Sequence, residues 1–171
     1  MQLVAEALGA IAVVFNFIGY RQNEVNHYRL LSAIALCSVS LHFFMLDAMA
    51  AGVGCAMASI RNIIALRYRN NAIVYFFVAL NIVFLLLEWF VLHHGPMIFI
   101  AYASSLIFTV GSIVIQDAAK IRRWFVLAEI LGLIYAVSVG SIFGTIFNIS
   151  NLISIFVKMY QAGELPVWRK A

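Results

Sequence analysis

Charge is what this sequence has least of. Asp, Glu, Lys and Arg make up 11% of the 171 residues and 65% are hydrophobic, whereas a soluble globular domain carries about 25% charged residues. A water-soluble fold of this size has too small an interior to hide so much apolar surface, so the composition excludes one and points to an all-α membrane protein. Cysteine is scarce too. Cys37 and Cys55 stand without a CxxC or any His/Cys spacing that would hold a metal, and both read as packing residues near mid-membrane. A haem on His42 would need a second histidine at a facing depth, and His93 and His94 lie too near a surface. No HExxH, nucleophile motif or phosphate-cradling glycine loop occurs. No catalytic residue, metal or other cofactor is therefore expected, and the chain is not read as an enzyme. The N-terminus lacks the basic stretch of a cleaved signal peptide, so the first apolar segment is expected to be retained as a helix. The net charge of +4 would suggest nucleic acid in a soluble protein; here it reads as basic loops beside anionic lipid, with no nucleic-acid partner.

What the sequence does have is long apolar runs. Leu30 to Leu66 holds only three ionisable side chains, His42, Asp47 and Arg61. As one helix it would rise about 55 Å against a hydrocarbon core of roughly 30 Å, so it must fold back on itself. The break belongs at Leu46-Asp47. Trp124 to Val157 repeats the arrangement between Lys120, Arg122, Arg123 and Lys158, with its turn at Gly140-Ser141. Helix 1 is expected over Leu3 to Tyr20, followed by a polar loop from Arg21 to Arg29. Helix 4 covers roughly Ala72 to Val91, before the turn at Gly95-Pro96, and helix 5 runs from Met97 to Ile115. A tail with Trp168, Arg169 and Lys170 closes the chain.

The basic residues set the orientation. Ten of the eleven Lys and Arg follow helices 1, 3, 5 and 7; the eleventh is Arg61. Seven crossings put all ten on the cytoplasmic side, with the N-terminus periplasmic and the C-terminus cytoplasmic. An offset of 92 residues also lays Gly19 on Gly111, Phe43 on Tyr135, Gly52 on Gly144, Ser59 on Asn151 and Tyr68 on Tyr160. Together these predict a 3+1+3 duplication: a triple-helix bundle over 1–71, a linking helix over 72–96, a second bundle over 97–160 and a cytoplasmic tail over 161–171.

Polar residues in the apolar runs are the candidates for function. Ser141, Gly144, Asn148 and Asn151 share one face of helix 7, and near the bilayer centre an unpaired amide costs several kcal/mol. They either line a polar cavity or hold helices together. The intramembrane charges are sharper, at about 2.5–3.5 kcal/mol each on insertion scales. Arg61 and Glu129 lie at matching depth, where an ion pair would latch the cytoplasmic side of the two bundles. His42 is a candidate proton-coupling group or a hydrogen-bonded packing residue.

The segments His42-Phe43-Phe44-Met45-Leu46, Ile60-Arg61-Asn62 and Gly140-Ser141-Ile142-Phe143-Gly144-Thr145 resemble the YgjV family of bacterial inner-membrane proteins. The resemblance covers most of the chain and carries no activity with it. It does imply a distant likeness to the SWEET and PQ-loop proteins, and with it two triple-helix bundles joined by an inverting helix. SWEET-type carriers hinge at prolines in the first helix of each bundle. Pro96 and Pro166 both fall outside the expected helices, so any bend is expected near Gly9, Gly19 or Gly111. Leu133-Ile134-Tyr135-Ala136 stands where a sugar carrier would have a more polar sixth helix, so sugar recognition is not implied.

The resulting expectation is an inner-membrane carrier of a small polar solute working by alternating access. Its substrate site would comprise Asn148, Asn151, Ser59, Asn16 and Tyr135, with Arg61 and Glu129 as the inner gate. The alternative is a non-transporting scaffold or receptor that binds a lipid or quinone. A homodimer is compatible with either.

Overall fold

The computed structural model describes residues 2–45, 49–138, 140 and 142–164. Seven α-helices account for nearly all of them: α1 Gln2–Tyr20, α2 Val25–Met45, α3 Met49–Ile64, α4 Asn71–Phe90, α5 Ile98–Val114, α6 Ala118–Ser138 and α7 Ile142–Gln161. Among the described residues there is no strand. The expected break at Leu46-Asp47 lies outside the described residues, between the end of α2 and the start of α3, as do Ser141 and the tail residues Trp168, Arg169 and Lys170.

Local chemistry explains several helix ends. The Asn70 side chain accepts from the Ile73 N–H at 3.0 Å and caps α4, and Asp117 does the same for α6 through the Lys120 N–H at 2.7 Å. Gly140 adopts φ +69° between α6 and α7, a conformation an L side chain resists. The polar loop expected from Arg21 to Arg29 is shorter than that, because α2 already begins at Val25. Likewise α6 begins before the basic cluster, at Ala118. Arg29 and Arg122 are therefore helical, and both are buried.

Among the described residues, Asn71–Phe90 is the one helix both long and apolar enough to cross a membrane by itself. Ala7–Tyr20, Gly52–Ile64 and Ile98–Val114 are apolar but shorter. Across the molecule polarity is turned inward. Ser32, His42, Arg61, Asn62, Glu129 and Asn151 are buried, while Val14, Leu41, Phe76, Phe90, Ile142 and Phe156 face out. In water such a surface would aggregate; in lipid it is the solvated one. Cys37 and Cys55 are both free thiols, and Cys37 is on the exposed face, not in a helix contact.

α2 packs between α1 and α3, and α6 packs between α5 and α7. The two sets meet where α1 touches α7 and where α3 touches α5, and α4 lies against α5. Apart from α4, exchanging α1 with α5, α2 with α6 and α3 with α7 leaves this pattern unchanged. Glycines lie at corresponding helix pairs: Gly19 faces Leu31 and Ser32 of α2, and Gly111 faces Trp124 and Phe125 of α6. Serine hydroxyls tie neighbouring helices through backbone carbonyls, Ser59 to Ala33 at 2.8 Å, Ser40 to Gly52 at 2.7 Å and Ser104 to Ala128 at 2.7 Å.

Candidate functional site

A cavity of about 760 Å³ lies between α3, α4, α5 and α6, within the range typical of small-molecule sites. From Phe77 to Glu88 it follows α4 for about 16 Å. Its walls are mostly apolar, from Val53, Met57, Leu80, Phe84 and Leu87. A polar line runs along one side. At the deep end the Arg61 guanidinium donates to Thr109 Oγ1 at 2.8 Å and to Asn62 Oδ1 at 3.3 Å. Thr109 Oγ1 also accepts from Asn81 Nδ2 at 3.3 Å, and Asn81 Oδ1 accepts from the Ser105 hydroxyl at 2.5 Å. At the other end Glu88 accepts from the Tyr102 hydroxyl at 2.8 Å and lies 3.0 Å from His94 Nδ1. Leu92 and His94 of the α4–α5 connection border that end. Tyr135 of α6 lines the cavity with them.

Below Arg61 the helices close. Ala65 and Ile113 are buried together with Phe77 at the edge of the cavity, and Ile64, Ile73 and Val74 pack around them. Beneath this plug two arginines cross between the halves. Arg29 of α2 donates to the carbonyls of Ser112 at 2.6 Å and Ile115 at 2.9 Å, the C-terminal end of α5. Arg122 of α6 donates to the carbonyls of Gln22 at 2.8 Å and Tyr20 at 3.5 Å, the C-terminal end of α1. Both satisfy carbonyls that a helix end leaves without partners and place positive charge at the negative end of the helix dipole. Arg122 also forms a two-pronged ion pair with Glu164. Arg69 reaches Gln116 and Asn26 and joins the same belt.

The remaining expected site residues sit elsewhere. Glu129 does not pair with Arg61: its Oε1 accepts from the Tyr20 hydroxyl at 2.5 Å and from Asn151 Nδ2 at 3.0 Å, in a buried contact of α1, α6 and α7. From the sequence the two are expected at equal depth, but the two side chains occupy different helix contacts. Asn148 donates to the Gly144 carbonyl of its own helix at 2.7 Å, and its Oδ1 lies so close to Gly132 that a Cβ there would stand 2.6 Å away. Asn16 is buried in α1 with its Oδ1 unpartnered. Ser59 is committed to Ala33 in place of α7. His42 Nδ1 lies 2.6 Å from the Ala5 carbonyl, a contact between α2 and α1. None of these residues, Asn151 included, lines the cavity. Among the described residues no group of three or more His, Cys, Asp or Glu could hold a metal ion.

Residues 3–164 match the family described as Imp-YgjV: Bacterial inner membrane protein. The chain belongs to this family. Inward polarity and outward apolar surface are thus those of a bacterial inner-membrane protein. No curated protein and no solved structure matches the chain.

Arg61 and Tyr135 are the two expected residues that the cavity unites, and Asn81, Ser105, Thr109, Glu88 and Tyr102 join them. An amide at Asn81, one helical turn after Phe77 within the apolar run from Phe76 to Leu87, was the signal available for that helix.

Proposed function

We propose that this protein is a seven-crossing carrier that moves a small polar solute by alternating access between two duplicated triple-helix units. The observation that carries the reading is a cavity with a polar line, bordered at one end by the α4–α5 connection and closed at the other by an apolar plug over a belt of arginines. The basic loops favour a cytoplasmic closed end and a periplasmic N-terminus. The exchange-symmetric packing and the paired arginine caps support the duplication. In this reading Arg61, Tyr135, Asn81 and Thr109 hold the solute. Asn148, Asn151, Ser59 and Asn16 hold helices together, and Arg29 and Arg122 replace Arg61 and Glu129 as the inner gate.

Vesicle counterflow tests the proposal. Protein reconstituted into proteoliposomes should exchange at least one labelled member of a panel of small anionic, neutral and cationic metabolites. Ala58→Phe, which places a ring in the cavity from α3, should lower that exchange at least tenfold while leaving the protein monodisperse. The apolar walls favour a second reading, a scaffold or receptor that retains a lipid or quinone. Absence of exchange for every member, with a lipid or quinone found by mass spectrometry on the purified protein, would replace the carrier with that.

A further inference from the structure

The chemistry of the cavity narrows what enters it. Arg61 is 5% exposed and lines the cavity, where its guanidinium reaches Thr109, another lining residue. Among the described residues no carboxylate stands within salt-bridge distance of it. Its neighbours there, Thr109 and Asn62, are neutral. Arginine carries five N–H donors, and the contacts of Arg61 with Asn62 and Thr109 use one each of Nε, Nη1 and Nη2. Two donors remain, one on each terminal nitrogen, for the oxygens of a carboxylate or a phosphate. A buried cation without a counter-charge is costly in a protein interior, and more so in lipid. The one acid among the lining residues, Glu88, lies at the opposite end and is engaged by Tyr102 and His94. Between the two ends the walls are Val53, Met57, Phe84 and Leu87.

We propose that the cavity binds an oxyanion carried on an apolar body, with Arg61 as its counter-ion and the walls between α3 and α4 covering the body. The anion completes the donor set of Arg61, and the body displaces water from apolar walls. The volume suits a molecule of drug-like size or the headgroup end of an anionic lipid. This deepens the carrier reading and rests on its choice of cavity, but it concerns binding and does not require transport.

The test is thermal unfolding of the full chain in nanodiscs of phosphatidylcholine, with benzoate, benzamide or benzylamine added. A parallel set of discs contains phosphatidylglycerol. Benzoate should raise the midpoint by several degrees and benzamide and benzylamine should not. Arg61→Gln should abolish the shift and Arg61→Lys should keep part of it. Should Arg61→Gln fail to fold, Ala58→Phe, which fills the cavity and leaves the guanidinium in place, must abolish the same shift. A shift from phosphatidylglycerol alone, lost in Arg61→Gln, supports the same chemistry and identifies the oxyanion as a lipid headgroup. Equal stabilisation by benzamide, no stabilisation by either anion, or a benzoate shift unchanged in Arg61→Gln and Ala58→Phe overturns the proposal. Benzoate binding without vesicle exchange would sink the carrier and leave the ligand class standing; exchange of cationic or neutral solutes without anion binding would do the reverse.

Discussion

Single residues set how closely these helices can approach. A Cβ at Gly111 would stand 2.5 Å from the Phe125 ring and 2.6 Å from Trp124, both on α6. Its counterpart Gly19 has room, since the nearest atom would be Leu31 Cβ at 3.5 Å. Gly54 faces open space in the cavity. The three glycines therefore separate packing from conformation. Gly111→Ala should destabilise by about 1–3 kcal/mol through overpacking of fixed rings, read as an earlier midpoint in detergent unfolding. Gly19→Ala and Gly54→Ala should leave the midpoint unchanged or slightly raised, because alanine favours the helix. Equal losses at all three would mean that helix approach is not what Gly111 provides. Some of the site was legible at this scale. Arg61 stood out because a charge inside an apolar run must have a reason to be there. Thr109 and Ser105 did not, since hydroxyls are common in membrane helices and their meaning depends on which face meets α4.

The helices themselves were legible from the length of the apolar runs and the turn chemistry of Gly95-Pro96 and Gly140, but the partners of each helix were not. Asn148 and Asn151 share a stripe by spacing, yet one turns back on its own helix and the other meets Glu129. Periodicity gives a face and says nothing of what that face touches. The same gap hid the arginine caps. Arg29 and Arg122 read as loop residues at a lipid surface, and only the tertiary fold carries each to the end of a helix from the other half. If these caps latch the cytoplasmic end, loosening them must open a path to the plug. In a background with Cys37 and Cys55 replaced by alanine, a cysteine at the buried Ile113 should be slow to react with a membrane-impermeant thiol reagent applied from the cytosolic side. Arg29→Ala or Arg122→Ala should raise that rate at least tenfold. An unchanged rate, with the unfolding midpoint lowered by the loss of the bonds to the helix end, would make the arginines structural caps only.

At the scale of the whole molecule, near-symmetry makes an asymmetric site. The α3–α5 and α7–α1 contacts correspond under exchange of the halves, but they are filled differently. Where α7 meets α1, Ser154 bonds the Phe17 carbonyl, and nearby Asn151 and Tyr20 meet on Glu129, which closes the contact. Where α3 meets α5, Arg61 reaches Thr109 and the space beyond it stays open beneath α4. α4 has no counterpart in the exchange, so a cavity roofed by it exists once. In the proposed seven-crossing arrangement α4 also sets the orientation, because one crossing between two like units would return the chain to the side from which a repeat can start. That makes α4 the element on which the orientation depends. With the native cysteines replaced, single cysteines at the exposed positions Glu24, Arg67 and Lys120 should be labelled in intact cells only after the inner membrane is permeabilised. Cysteines at Pro96 and Ser138 should be labelled without permeabilisation. Accessibility of Arg67 and Pro96 from one and the same side would mean that α4 does not cross, and the two halves would then face opposite ways across the membrane.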